Sequence, residues 1–198
     1  MFMLDIETLA VESTAVVLSV SIIPFEFDEV VPDEQLTPDK MNDLYNEFRD
    51  QSITVKFDIK EQEAIGRLVD DETVAWWRKQ SDIAKKVSLI PAETDLSVKE
   101  GIDILRDFIN DNGGDKQTVW VRGTLDQMAL ESLCRSFKIQ PLIHYSQFKD
   151  VRTAIDLISE SSRNGYCRMK GGFNQNHVVK HVPANDCAFD IMMMLYHE

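Results

Sequence analysis

Met1-Phe2-Met3-Leu4-Asp5-Ile6-Glu7 opens the chain as an apolar run interrupted by two acids two residues apart. In a strand, successive side chains point to opposite faces, so residues i and i+2 share one. Read as a strand over 2–7, the stretch sets Asp5 and Glu7 side by side on one face of a sheet. Two carboxylates in apolar surroundings repel each other unless a cation lies between them. Oxygen-only ligation of that kind favours a hard divalent ion such as Mg²⁺ or Mn²⁺. Asp-x-Glu is also common on exposed edge strands, where both acids are merely solvated, so the tripeptide needs partners elsewhere in the chain.

Beyond the opening strand, Glu12-Ser13-Thr14 supplies a polar turn and 15–25 is a long β-branched run. The two strands therefore predict an antiparallel hairpin. Residues 26–50 are acidic, carry Pro32 and Pro38, and read as a loop or insertion with a short helix at 40–48. Residues 53–57 alternate as a third strand. Residues 71–86 read as one helix around Trp76 and Trp77, capped by Asp71 or Thr73. A second helix over 96–109 is stopped by Gly113-Gly114. Then come a buried central strand at 118–121, a helix at 126–137, a short strand at 141–144 and a short helix at 151–157. Residues 164–176 form a Gly-rich surface loop, and 184–196 an apolar helix that must pack on the sheet. This order predicts an α/β fold in one domain over 1–198. Its centre is a mixed five-stranded sheet, the first three strands antiparallel, flanked by helices.

The net charge of −13, from 21 basic and 34 acidic residues, excludes a broad basic platform for duplex nucleic acid. It does not exclude an enzyme that grips a few terminal nucleotides, because bound divalent ions invert the charge of an acidic pocket. Cys134, Cys167 and Cys187 are scattered and odd in number. Reduced thiols in a cytoplasmic compartment, host cytoplasm if the chain is phage-encoded, are the expectation. No Cys-x-x-Cys pair suggests a thiolate zinc site. No run approaches the roughly 20 apolar residues of a membrane span, and no signal-peptide pattern is visible, so no membrane partner is expected.

Three further residues join the opening pair. Arg122-Gly123-Thr124-Leu125-Asp126 places Asp126 at a strand-to-helix corner, where ligands gather in α/β sheets, although a lone Asp there is more often a cap. In His181-Val182-Pro183-Ala184-Asn185-Asp186, Pro183 keeps Val182 out of the α region. His181 therefore falls on the entering loop. Asp186 falls in the first helical turn, where the helix dipole favours an ionised acid; a loop His and a solvated first-turn Asp are the bland alternatives.

Taken jointly, Asp-x-Glu on the first strand, Asp at a mid-chain helix start and His-x4-Asp at the last helix resemble the DEDDh 3′–5′ exonucleases of the ribonuclease H-like fold. That family includes polymerase proofreading subunits, ribonuclease T and oligoribonuclease. Thr73-Val74-Ala75-Trp76-Trp77-Arg78-Lys79-Gln80-Ser81 and Lys149-Asp150-Val151-Arg152-Thr153 are similar to its phage exonuclease A and mycobacterial-type exoribonuclease branch. Proofreading members carry a small residue where this chain has Pro183, and 26–50 matches poorly.

The resemblance implies hydrolysis of single-stranded DNA or RNA from its 3′ end to nucleoside 5′-monophosphates. It implies two divalent cations, Mg²⁺ or Mn²⁺, about 3.5–4 Å apart. Asp5, Glu7 and Asp186 would hold the ion that binds the attacking water, with Asp126 and a bridging Asp5 on the second. His181 would be the general base, neutral at working pH from an ordinary pKa of about 6.5, with activity rising over roughly pH 6–8. Thr8 and Leu9 would approach the terminal nucleotide. Trp76 and Trp77 point about 100° apart on a helix, so one packs inward and the other is free to stack a base. Arg122 or Arg152 would meet a phosphate or a surface acid, and His144, His177 and His197 have no matching role. Many relatives are dimers, which adds a homodimer to the expected partners. The competing expectations are a catalytically silent module docking a polymerase, and a different metal enzyme such as a phosphatase, which the lack of an Asp-x-Asp motif disfavours.

Overall fold

The computed structural model describes residues 1–28 and 30–198. Strand β1 (Phe2–Thr8) pairs antiparallel with β2 (Val17–Pro24), and β2 pairs antiparallel with β3 (Ile53–Lys56). On its other side β1 pairs parallel with β4 (Val119–Val121), which pairs parallel with β5 (Phe148–Asp150). The order β3-β2-β1-β4-β5 is the mixed five-stranded sheet of the ribonuclease H-like fold.

Period-2 alternation along β1 feeds two main cores, one on each face of the sheet, and a smaller third cluster gathers around Trp77. Phe2, Leu4 and Ile6 join the apolar faces of α5 (Val98–Asp111) and α6 (Leu125–Ser136). Met3 turns to the opposite layer, built from α1 (Pro38–Asp50), α7 (Val151–Ile158) and α8 (Pro183–Leu195). Asp5 and Glu7 continue the Met3 face and so point toward the layer of α8. Helix α5 starts on a capping box between Ser97 and Glu100, which satisfies two backbone N–H groups at once. The side chain of Gln62, on α2 (Ile59–Ala64), is fully buried and bonds both the N–H and the carbonyl of Val17. It serves the start of β2 as a strand partner.

Three expectations need correcting. Residues 26–50 are not mainly a loop: α1 runs 13 residues, Thr37 caps it, and Met41, Leu44, Tyr45 and Phe48 are buried. The 71–86 helix is broken. Helix α3 (Asp71–Trp77) is capped by Asp70, and Ser81 caps a new start, α4 (Asp82–Ala84), which widens into a looser turn over Lys85–Leu89. The polar stretch Arg78-Lys79-Gln80 has no apolar face to hold it against the core, while Ser81 captures the N–H of Ala84 at 3.1 Å. Residues 141–144 do not form a strand. Leu142 and Ile143 are buried in the α5–α6 core, and Pro141 has no N–H to give a ladder, so β5 forms at 148–150 instead.

Candidate active site

Because β1 and β4 run parallel, their carboxyl ends open on the same edge of the sheet. A cleft of about 910 Å³ lies there, with Asp5, Glu7, Asp126 and Asp186 on its walls. The alternation of β1 delivers Asp5 and Glu7. The turn after β4 delivers Asp126, whose Oδ2 accepts the Arg122 N–H at 3.2 Å. Asp126 thus braces the strand-to-helix corner as a capping acid would, and it also faces the cleft. Pro183 starts α8 and Asp186 follows in its first turn, its Oδ2 accepting the His181 N–H at 2.7 Å.

The acids crowd one another. Burial, and then the charges of Glu7, Asp126, Asp186 and Asp190, lift Asp5 well above the carboxylate range. Burial also lifts Asp126 well above its ordinary value, against the opposing hydrogen bond from Arg122. Burial and Glu7 push Asp186 up to about 7, and burial raises Glu7 although His181 counteracts it. Asp5 Oδ2 is shut off from solvent and has no hydrogen-bond partner. A buried carboxylate oxygen without a partner calls for an explanation, and a bound cation among these acids supplies one. This surplus of buried negative charge fits divalent cations.

His181 occupies the entering loop with a left-handed φ of +61°. Its Nδ1 stands 3.7 Å from Glu7 Oε1, a charge contact longer than a hydrogen bond. Ligand atoms of Glu7, His181 and Asp186 all lie within 4.8 Å of one another. The imidazole also meets the Trp76 ring edge-on, centroids 4.7 Å apart. The expectation of an ordinary pKa is corrected: the Glu7 carboxylate raises His181 above its usual value, against the effect of burial.

The two tryptophans divide as their 100° offset requires. Trp77 is fully buried and its Nε1 donates to the Thr8 carbonyl at 2.9 Å, whereas Trp76 is 41% exposed on the cleft wall. Trp77 therefore has no surface for a base and acts by holding Thr8. Thr8 lines the cleft, its hydroxyl donating to Ala10 O at 2.7 Å, which leaves the oxygen free to accept. Leu9 departs from expectation: it packs with Val16, Leu18 and Trp77, 4% exposed. The exposed apolar side chain on that stretch of the cleft is Val11.

Two features escaped sequence reasoning. Asp190, one turn beyond Asp186 on α8, is buried and grips Arg122 by two oxygens, Nε at 2.9–3.0 Å and Nη2 at 2.6 Å. Arg122 is thus an interior cation and not a surface one. Burial opposes its charge, but Asp190 outweighs that and raises its pKa. The available signal was an acid four residues from Asp186 inside an otherwise apolar helix. Tyr166, whose ring lies 4.3 Å from the Arg122 guanidinium, gave no signal beyond its place in a Gly-containing loop. His144, His177 and His197 bond Ser146, Asn174 and the Met194 carbonyl, away from the acids. Among the described residues, no helix is long and apolar enough to cross a membrane.

A family model described as the 3′-5′ exoribonuclease Rv2179c-like domain matches residues 1–194. A relative from Enterobacteria phage T4, named an exodeoxyribonuclease, is 29% identical over 212 residues, covering 98% of this chain and 87% of its own. The match runs from β1 to the end of the helix that carries Asp186, so the chain belongs to the Rv2179c-like 3′-5′ exoribonuclease domain family of nucleases.

Proposed function

We propose that the chain is a DEDDh-type 3′–5′ exonuclease that releases nucleoside 5′-monophosphates from the 3′ end of single-stranded DNA or RNA. The observation that carries the reading is the bare, inaccessible Asp5 Oδ2 among four acids whose pKa values are all raised. Asp5, Glu7, Asp126 and Asp186 would hold two divalent cations, Mg²⁺ or Mn²⁺, whose chemistry is to acidify water and neutralise charge developing on a phosphate.

The protein's own groups do the rest. His181, its Nδ1 toward Glu7, keeps Nε2 for the proton of the attacking water. Glu7 favours the protonated imidazole, and a cation sharing the Glu7 charge would weaken that preference and so favour the neutral base. Trp77 fixes Thr8 at the mouth of the cleft, and Trp76 offers an exposed face to the terminal base. The family description names RNA and the phage relative is named for DNA, so both polymers stand as substrates. A 2′-hydroxyl contact near the accepting Thr8 oxygen would separate them. The three free thiols are all buried, which suits a cytoplasmic site of action, and a homodimer remains part of the proposal.

The test uses matched DNA and RNA oligonucleotides, each blocked at one end, with Mg²⁺, Mn²⁺ or chelator. We expect metal-dependent shortening only where the 3′ end is free. Asp5→Ala should lose more than the about 10–100-fold typical of residues that merely support a metal ligand. A wild-type chain with no metal-dependent activity on either polymer would hand the site to the docking-module alternative.

A further inference from the structure

Two exposed aromatic side chains look into the cleft from opposite sides of the acids. Trp76 stands on the β2 side, because its neighbour Trp77 is anchored to Thr8 and packed with Val16 and Leu18. Tyr166 stands on the β4–β5 side, stacked on the guanidinium of Arg122, the residue after β4. They are 41% and 47% exposed, so each keeps surface for a ligand. The cleft volume of about 910 Å³ lies near the top of the range for small-molecule pockets, roughly 300–1,000 Å³.

The Tyr166 side is a built feature. Gly165, at φ +74°, lies so close to Arg152 that a Cβ there would come within 2.5 Å of Arg152 Cβ and 2.6 Å of Arg152 Cα. Its carbonyl accepts from Arg122 Nη1 at 3.0 Å, and its N–H donates to Asp156 Oδ1 at 2.9 Å. One glycine thus sets both arginines and the tyrosine. The charge of Arg122 is matched by Asp190. Arg152 is exposed on the cleft rim and has no ion-pair partner among the described residues. Its charge reaches Asp126 and Asp190. In a chain of net charge −13, an unmatched guanidinium over an acid-floored cleft is suited to an anionic ligand. Neighbouring strands lie about 4.8 Å apart, so the end of β5 is about 10 Å along the sheet edge from β1. A separation of that size is longer than one phosphate-to-phosphate step of an extended strand, so it leaves room for a nucleotide beyond the terminal one.

We propose that Tyr166 and Arg152 form a second nucleotide subsite. Tyr166 stacks the base, and Arg152 takes the phosphate, of the nucleotide on the 5′ side of the scissile bond, while Trp76 faces the terminal base. This rests on the exonuclease reading and adds which part of the single strand is gripped.

The experiment compares Tyr166→Ala, Tyr166→Phe and Arg152→Ala with wild type on two substrates. One is a short single-stranded oligonucleotide, the other the p-nitrophenyl ester of thymidine 5′-monophosphate, which has no upstream nucleotide. Tyr166→Ala should raise the oligonucleotide KM about tenfold, leave kcat within about twofold, and be rescued by Phe. Arg152→Ala should flatten the dependence of log affinity on log salt by about 0.7. Tyr166→Ala should leave hydrolysis of the ester unchanged, and Arg152→Ala, whose charge also reaches Asp126, should lower it less than it lowers hydrolysis of the oligonucleotide. Unchanged oligonucleotide KM and salt slope, or equal losses on both substrates, would overturn the subsite alone. A wild type that degrades no nucleic acid removes the exonuclease reading, and the subsite with it.

Discussion

At the residue scale, the four site acids put strain on the fold that holds them. An acid whose pKa is higher folded than unfolded binds protons more tightly in the folded state. Stability therefore falls as pH rises from the unfolded value, about 3.9 for Asp, through the folded one, about 7 for Asp186. His181 acts in the same direction: its raised pKa gives stability that is complete below about 6.5 and lost as pH climbs through the folded value. The acids with lowered pKa values, Asp70, Asp82, Glu100, Asp150 and Asp156, titrate below this window. Without metal, Tm should drop by several degrees between pH 5 and 8, since 1 kcal/mol is worth about 2–4 °C in a chain of this size. Mn²⁺ at pH 8 should restore it, and Asp186→Asn should flatten the metal-free profile. A metal-free Tm that is level or rising over pH 5–8 would contradict this account. Asp5→Asn carries a companion expectation: it removes the most crowded charge, so the variant should be more stable than wild type without metal while losing nuclease activity. Asp5, Glu7 and Asp186 were legible because each depends on local rules, strand alternation or a proline at a helix start. The burial of Leu9 and the grip of Asp190 were not, because one depends on Trp77 and the other on Arg122, 68 residues away.

At the scale of elements, contacts between chain-distant pieces decide what periodicity alone misjudges. Helix α5 carries Gly101 as its fourth residue, where glycine costs up to about 1 kcal/mol relative to alanine. The sheet explains it: a Cβ at 101 would stand 2.5 Å from Phe57 Cε1 and 2.6 Å from Val55 Cγ1. Overpacking of that kind costs about 1–3 kcal/mol, which exceeds the propensity gain. Gly101→Ala should therefore lower stability in thermal or urea denaturation; a gain would mean that α5 slides freely over β3. The Arg122–Asp190 pair ties the corner after β4 to α8 in the same long-range manner, with side chains 13% and 8% exposed. Removing the cation alone leaves a buried charge unmatched, so Arg122→Met should destabilise by about 3–5 kcal/mol. The double variant with Asp190→Leu should recover most of that in the same melts, because an apolar pair replaces the ionic one. If the double variant is no better than the single, the loss comes from the Gly165 and Tyr166 contacts and not from the stranded carboxylate. The misread strand at 141–144 belongs to this scale too, since burial of Leu142 and Ile143 produces a strand-like apolar run without a ladder.

At the scale of the whole molecule, one layer of helices both closes the core and presents the chemistry. Helix α8 is apolar over most of its surface because β1 and β2 lie on one side and α1 and α7 on others. Only its first two turns reach the cleft, and there it carries Asp186 and Asp190. Helix α1 thus supports the site from behind, although it lies in the acidic stretch that reads as a loop. Met41, Leu44, Tyr45 and Phe48 recur at helical spacing and mark the short helix at 40–48, but the sequence does not show that the helix runs on to Asp50 or that it is buried against α8. Met41, with no exposed surface, sits in the same cluster as Met192, Met193 and Phe189 of α8. If α1 is part of the core, Met41→Ala leaves a cavity and costs about 2–5 kcal/mol, or roughly 4–20 °C in Tm. An appended surface loop would absorb the same change within about 0.5 kcal/mol. Amide exchange separates the two cases independently: backbone N–H groups of α1 should open only with those of α8 and β1, near the global unfolding free energy, and not in an earlier, separate event. Early exchange of α1 together with a silent Met41→Ala would return the helix to the status of an insertion and leave α8 to hold the acids unaided.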